Sequence, residues 1–235
     1  RLFTVKQVHH EPITMNSMHT KQKKAEYVKN LNIYIQQGKQ VVWIDETNIN
    51  LFCRRTRGRA LSGSRAVQKL PAAKSPNVHL TGAISAVGDV MIDRRRGSFS
   101  HRSANDWMTT LLQRWQEMGN QLDDLVVVCD NAPCHSIFET VFEYTAATLL
   151  RLAPYSPMLN PIEIIWSKIK TFIKNRLRIP MVEVPGVGEQ RLVYLEEVID
   201  EAKGIIVGGD CGRAAQHTTV YHAAALGMED MQVGL

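Results

Sequence analysis

The chain has 235 residues, enough to bury one sizeable core, and with 44% hydrophobic and 22% charged residues it has the composition of an ordinary globular protein. No apolar stretch is long enough to span a membrane, and Cys53, Cys129, Cys134 and Cys211 form no paired CxxC spacing, so the sequence points to a reducing setting and not to a disulfide scaffold. The net charge of +5 is uneven: residues 181–235 hold nine acids against three Lys or Arg, a net of −6, which leaves +11 on residues 1–180, an electrostatic footprint for nucleic acid.

Residues 1–16 read as an extended lead-in, followed by a helix from an Asn16 cap to Gln37, stopped at Gly38. Val41–Glu46 is the first core strand. A long basic stretch then runs to about Pro76, and residues 54–74 contain Arg54, Arg55, Arg57, Arg59, Arg65, Lys69 and Lys74 without one acid. Loops of this length are uncommon inside a domain and are often functional. Val78–Val87 and Val90–Arg95 are two strands joined at Gly88-Asp89. Ser103–Met118 has Trp107, Leu111, Leu112 and Trp115 at helical spacing. A strand at 125–130, a short helix near 136–145 and a strand at 148–153 follow. Asn160 caps a helix that runs to about Leu177. Two further helices close the chain, one with Leu195, Val198, Ile199, Ala202 and Ile206 on one face, the other from Asp210 to near Gly227. This order is that of an α/β, RNase H-like fold: a mixed five-stranded sheet flanked by helices, with extra helices at both ends.

Two of the apolar runs end in aspartate: Val41-Val42-Trp43-Ile44-Asp45 and Leu125-Val126-Val127-Val128-Cys129-Asp130. Continuous apolar runs are strands buried on both faces, and ligands of such sheets bind beyond the carboxyl ends of the strands. A third acid, Glu163, follows Asn160-Pro161-Ile162. Each acid also has a structural explanation. Asp45 and Glu46 face opposite sides of a strand, Asp130-Asn131-Ala132-Pro133 makes a good turn, and Asn160 with Glu163 has capping-box spacing. Together, three carboxylates at one sheet edge repel one another and call for a counter-charge. Hard oxygen ligands without a His or Cys partner favour Mg²⁺ or Mn²⁺, and two such ions would change −3 to about +1.

Trp43-Ile44-Asp45-Glu46-Thr47, Asp130-Asn131-Ala132-Pro133-Cys134-His135 and the long segment from Pro154-Tyr155-Ser156-Pro157 through Asn160-Pro161-Ile162-Glu163 to Trp166-Ser167-Lys168-Ile169-Lys170 resemble the three signatures of mariner-superfamily DDE transposases. The resemblance covers roughly residues 40–178. It implies Asp45, Asp130 and Glu163 as the catalytic, metal-binding triad with two Mg²⁺ or Mn²⁺ ions. It also implies cleavage of DNA at element ends followed by attack of the freed 3′-hydroxyl on target DNA, usually at TA, by a dimer. The family's site is nuclear in a eukaryote and cytoplasmic in a bacterium. The competing readings are a non-catalytic transposase-derived DNA-binding protein and a general RNase H-like nuclease.

Asn131 and His135 are candidates for orienting Asp130 or the substrate, against turn formation and capping. Lys168, Lys170 and Lys174 continue from the Glu163 helix and, with the seven basic residues of 54–74, are candidate DNA-backbone contacts. Arg94-Arg95-Arg96 is a weaker one. Trp166 reads as a core residue among Ile162, Ile165, Ile169 and Ile173. The expected organisation is a lead-in and helix at 1–38, linking to a preceding helix-turn-helix DNA-binding domain, then a catalytic domain at 39–180 with its basic loop at 54–76, then a helical extension at 181–235.

Overall fold

The computed structural model describes residues 11–51, 61–65, 67, 77–97, 99–177 and 188–232. Five strands form one sheet in the order β3-β2-β1-β4-β5: β1 (Gln40–Ile49), β2 (Val78–Ser85), β3 (Val90–Arg96), β4 (Leu125–Cys129) and β5 (Thr148–Arg151). The hairpins β1–β2 and β2–β3 are antiparallel, whereas β4 runs parallel to β1 and to β5. The mixed sheet expected from the sequence is therefore the one formed.

Alternation along β1 divides the core. Val41, Trp43 and Ile49 face a layer built from α1 (Met18–Gln36), α4 (Ile162–Arg176) and α5 (Gly188–Gly204), while Val42 and Ile44 face α2 (His101–Glu117). The central strands are buried on both faces, which is why they read as unbroken apolar runs. The hairpin β2–β3 turns at Gly88, whose φ of +110° is a conformation that L side chains rarely adopt. The chain closes with α6 (Gly208–Thr218) and α7 (His222–Leu226), and α3 (Glu139–Phe142) is a single short turn after β4.

Several boundaries differ from the sequence reading. The cap of α1 is Ser17, whose hydroxyl accepts from the Thr20 amide at 3.3 Å. Asn16 instead exchanges two hydrogen bonds with the Met231 backbone, joining the two ends of the described chain. The helix expected at 136–145 shrinks to Glu139–Phe142 behind a 3-10 turn at Pro133–His135. The last expected helix is broken by a 3-10 turn at Thr219–Tyr221. Ile13–Asn16 is also a 3-10 turn, and the rest of the lead-in, at 1–10, lies outside the described residues.

The C-terminal helices share the core of the sheet. Leu195, Val198, Ile199 and Ala202 are buried in one cluster with Leu80, Ile84, Ile165 and Ile169. Ion pairs reinforce the seam: Arg96 makes a two-nitrogen contact with Glu196 at 2.6–2.7 Å, and Arg94 reaches Glu196 and Asp200. Arg94 and Arg96 are thus engaged by acids of α5. Leu195→Ala should cost about 2–5 kcal/mol as a large-to-small core change. Thermal denaturation should show a drop of about 2–4 °C per kcal/mol; an unchanged Tm would mean that α5 is not part of this core.

Candidate active site

The ladder between β1 and β4 pairs Trp43 with Val128. Two residues further along both strands stand Asp45 and Asp130, so the parallel register brings these acids level at one sheet edge. Glu163 arrives from the first turn of α4. All three line one cavity of about 410 Å³, together with Asn131, Pro154, Tyr155, Ser156 and Asn160. A larger cleft of about 730 Å³ runs from it between α4 and α6 and shares Pro157, Asn160 and Glu163 with it.

Glu163 is free to face this cavity because no capping box forms. The residue before α4 is Pro161, without a side-chain cap, and the Glu163 amide donates only to the Asn160 backbone carbonyl at 3.2 Å. The loop before α4 holds Tyr155 at φ 54°, a left-handed conformation that costs an aromatic residue on the order of 1–3 kcal/mol. Asn160 is almost fully buried beside the acids, and its Oδ1 has no hydrogen-bond partner.

The electrostatics of the two aspartates differ. Burial, reinforced by the charges of Glu163, Glu46 and Asp130, pushes the Asp45 carboxyl up to about 7. Its Oδ2 accepts a hydrogen bond from the indole Nε1 of Trp166 at 3.0 Å. Asp130 is also desolvated, but it is held below the usual carboxylate range by His135, the Ala132 amide and Arg151. Glu163 is raised by burial and by Asp130, Lys170 opposes the shift, and the side chain stands toward solvent at the cavity rim.

His135 is fully buried and sits between two carboxylates. Its Nδ1 lies 2.6 Å from Asp130 Oδ1 and its Nε2 lies 2.8 Å from the Glu46 carboxylate. Burial opposes a charge there, but hydrogen bonds to Asp130, Cys134 and Glu46 outweigh it and raise the imidazole well above its ordinary value, so the ring is an imidazolium that donates to both acids. The expectation that Asp45 and Glu46 face opposite sides holds: Asp45 meets Trp166 of α4, and Glu46 meets His135 and Cys134. Asn131 ties the end of β4 to β5 by donating to the Leu152 carbonyl at 2.7 Å.

Arg151, which the sequence reading did not single out, braces the same loop. Its guanidinium donates to the backbone carbonyls of Asp130 at 3.0 Å and His135 at 2.7 Å and to the Glu139 carboxylate. The only hint in the sequence was a cation closing the apolar strand Leu149-Leu150-Arg151. Trp166, which reads from the sequence as a core residue, also reaches Asp45, and helical periodicity carries no signature of that contact.

Among the described residues, Glu46, Cys134 and His135 are the group of three ligand atoms within 4.8 Å of one another. Both ring nitrogens of that imidazole are already engaged by the Asp130 and Glu46 carboxylates, so the group is a hydrogen-bonded bridge. Asp45, Asp130 and Glu163 form a more open set of mutually repelling carboxyls lining one cavity, and this donor set suits a hard divalent cation.

Of the predicted DNA contacts, Arg54, Arg55, Arg57, Arg59, Lys69 and Lys74 lie outside the described residues, as does most of the basic loop. Arg65 is exposed. Lys168 is ion-paired with Asp210 at 2.6 Å and donates to the Ile205 carbonyl. Lys170 is close enough to Glu163 to lower its pKa, and Lys174 is half-buried on the same helix.

The model of the DDE superfamily endonucleases matches residues 40–183, more than half of the chain. The chain belongs to this family. Its fold is RNase H-like and resembles that of a Mos1 transposase paired-end complex with left transposon end, at 14% identity and a TM-score of 0.72, covering 96% of this chain and 67% of the other. The Mos1 mariner paired end complex with Mn gives 14% and 0.68, covering 97% and 66%. The catalytic domain of Mos1 mariner transposase gives 15% and 0.57, covering 96% and 100%. The chain therefore spans about two thirds of the transposase in those complexes and the whole length of the isolated catalytic domain. A search of curated protein sequences finds no match. No helix among the described residues is long and apolar enough to cross a membrane.

Asp45 makes stability depend on pH. Without divalent metal, the folded protein keeps a proton on Asp45 that the unfolded chain loses near pH ~4. This contribution is full below pH ~4 and is lost as pH rises through about 7. Asp45→Asn has no such loss. In EDTA, urea denaturation should show the variant gaining on the wild type by up to about 1.4 kcal/mol per pH unit between pH ~4 and ~7. A gap that stays constant with pH would remove Asp45 as the titrating group.

Proposed function

We propose that this chain carries the catalytic domain of a mariner-type DNA transposase, which cleaves phosphodiesters at element ends and joins the freed 3′-hydroxyl to target DNA, at TA steps. The convergence of Asp45, Asp130 and Glu163 on one cavity carries the proposal. It is supported by membership of the DDE endonuclease family and by likeness of fold to Mos1 transposase structures, among them complexes with a transposon end, with Mg and with Mn.

Asp45, Asp130 and Glu163 are the residues that would hold two Mg²⁺ or Mn²⁺ ions, which would offset their charge and stabilise the attacking and leaving oxygens of an in-line displacement. The residues around them keep the acids in place. His135, Asn131 and Arg151 hold the loop that carries Asp130, and Trp166 holds Asp45. In the first displacement, a water oxygen bonds to phosphorus and the 3′-oxygen leaves, to be protonated as the 3′-hydroxyl. In the second, this hydroxyl attacks a target phosphodiester and displaces the target's own 3′-oxygen. Both steps are the same substitution at phosphorus, so one site serves both.

The DNA backbone would meet the basic loop 54–76 together with Lys170 and Lys174. Lys168 would join only by exchanging Asp210 for phosphate. The 730 Å³ cleft beside Glu163 offers room for a strand leading from the cut. We take residues 39–180 as the catalytic unit and 181–235 as a helical extension packed on it, with 1–38 as a lead-in segment and helix. The working form is a homodimer, acting in the nucleus of a eukaryote or the cytoplasm of a bacterium.

With Mg²⁺ or Mn²⁺, the purified protein should nick DNA carrying element ends and join the 3′ end to a plasmid. Asp130→Ala should remove both products while retaining salt-sensitive DNA binding. Equal activity in Asp130→Ala would end the triad assignment. Nicking without joining would indicate a plain nuclease, and DNA binding with no metal-dependent chemistry in the wild type would indicate a non-catalytic descendant.

A further inference from the structure

Trp166 and Gly82 form a lock that neither the fold nor the acid triad requires by itself. Asp45 of β1 is paired with Gly82 of β2. Val78, Leu80 and Ile84, which share the Gly82 face of β2, are buried in the core beneath α4. At Gly82 the side chain is missing, and the Trp166 indole fills the slot: a Cβ there would stand 2.6 Å from Cη2 and 2.8 Å from Cζ2 of Trp166, and 3.0 Å from Cδ1 of Ile162. Glycine weakens the interior of a strand and marks places where another group must approach the backbone closely. Here that group is the ring whose Nε1 donates to Asp45 Oδ2 at 3.0 Å.

Trp166 lies one helical turn after Glu163 on α4. The indole therefore ties the strand that carries one acid to the helix that carries another, across a slot in the neighbouring strand. Ring and slot are both rigid, because Trp166 is 1% exposed and fully enclosed by the core. Indole is a donor without a lone pair for metal. It can hold one Asp45 oxygen without competing for a cation, while Asp45 still lines the cavity.

We propose that Trp166 is a positioning residue for Asp45, and that Gly82 exists to admit its ring, so that the pair sets the affinity of the triad for its divalent ion. The proposal rests on the metal-binding role given to the triad above. Partners that orient a metal ligand by hydrogen bonding typically change metal affinity 10–100-fold when removed.

The test is Mn²⁺ binding by titration calorimetry and by loss of the free-ion paramagnetic resonance signal, without DNA, alongside Tm in EDTA. Trp166→Phe keeps most of the ring and removes the donor. Gly82→Ala keeps the donor and expels the ring. Ile173→Val, buried on α4 away from the acids, controls for core loosening. Both Trp166→Phe and Gly82→Ala should weaken Mn²⁺ binding by about 10-fold or more, while Ile173→Val lowers Tm and leaves binding as in the wild type. If the first two lower Tm but bind Mn²⁺ as the wild type does, the indole is only a core side chain and the proposal falls. If one variant fails to fold, the other decides. Wild type that takes up no Mn²⁺ through Asp130, judged against Asp130→Ala, overturns the triad's metal role, a different failure from wild-type binding that neither variant changes.

Discussion

Gln40–Trp43 and Leu125–Val128 run side by side in the same direction, and past this ladder β4 ends at Cys129 while β1 continues beside β2 to Ile49. Asp45 and Asp130 come level there, and Glu163 joins them from α4. The result is negative charge gathered where part of it is shielded from water, a costly arrangement unless something balances it. Much of the surrounding structure answers that cost. An imidazolium and a guanidinium stand behind Asp130, a buried indole donates to Asp45, and Lys170 lies near Glu163.

The two aspartates are supported by different chemistry. Asp130 stands before charged donors and stays ionised. Asp45 has only neutral donors, the Trp166 indole and the Glu46 backbone, in a more buried place, and its carboxyl rises toward neutrality. Glu46, on the opposite face of β1 from Asp45, serves Asp130 through His135 instead of serving its own neighbour. Alternation along a strand separates adjacent acids, and the buried imidazole reunites one of them with the site from behind.

The acidic C-terminal region changes the meaning of the basic surface. Glu196 and Asp200 take Arg94, Glu189 and Glu196 take Arg96, Glu201 takes Arg176, and Asp210 takes Lys168. Pairs between exposed groups contribute little to stability, whereas Glu196 is buried, and each pair occupies a cation that charge counting leaves available for phosphate. The contrast of +11 with −6 along the chain is therefore partly cancelled within the fold. Lys170 and Lys174 keep their candidacy for DNA better than Lys168 does.

Local pattern in the sequence was enough to place the five strands, the mixed sheet and the three acids, because buried strands impose apolar runs, but β1 continues past its apolar run to Ile49 with Asp45 inside the strand. Val41–Asp45, Leu125–Asp130 and Asn160–Glu163 carry that information in contiguous residues. Capping was less legible. Asn160 and Glu163 have the spacing of a box that does not form, and Ser17 in place of Asn16 caps α1, since spacing does not say which side chain is drawn into tertiary contacts. The His135 bridge, the Arg151 brace and the slot at Gly82 join residues 16 to 121 positions apart in some of their contacts, and no local period encodes them. What the sequence by itself determined is which acids reach the sheet edge. Only the tertiary structure decided their protonation and their supports, because desolvation and hydrogen bonding depend on what packs against a residue and not on what precedes it.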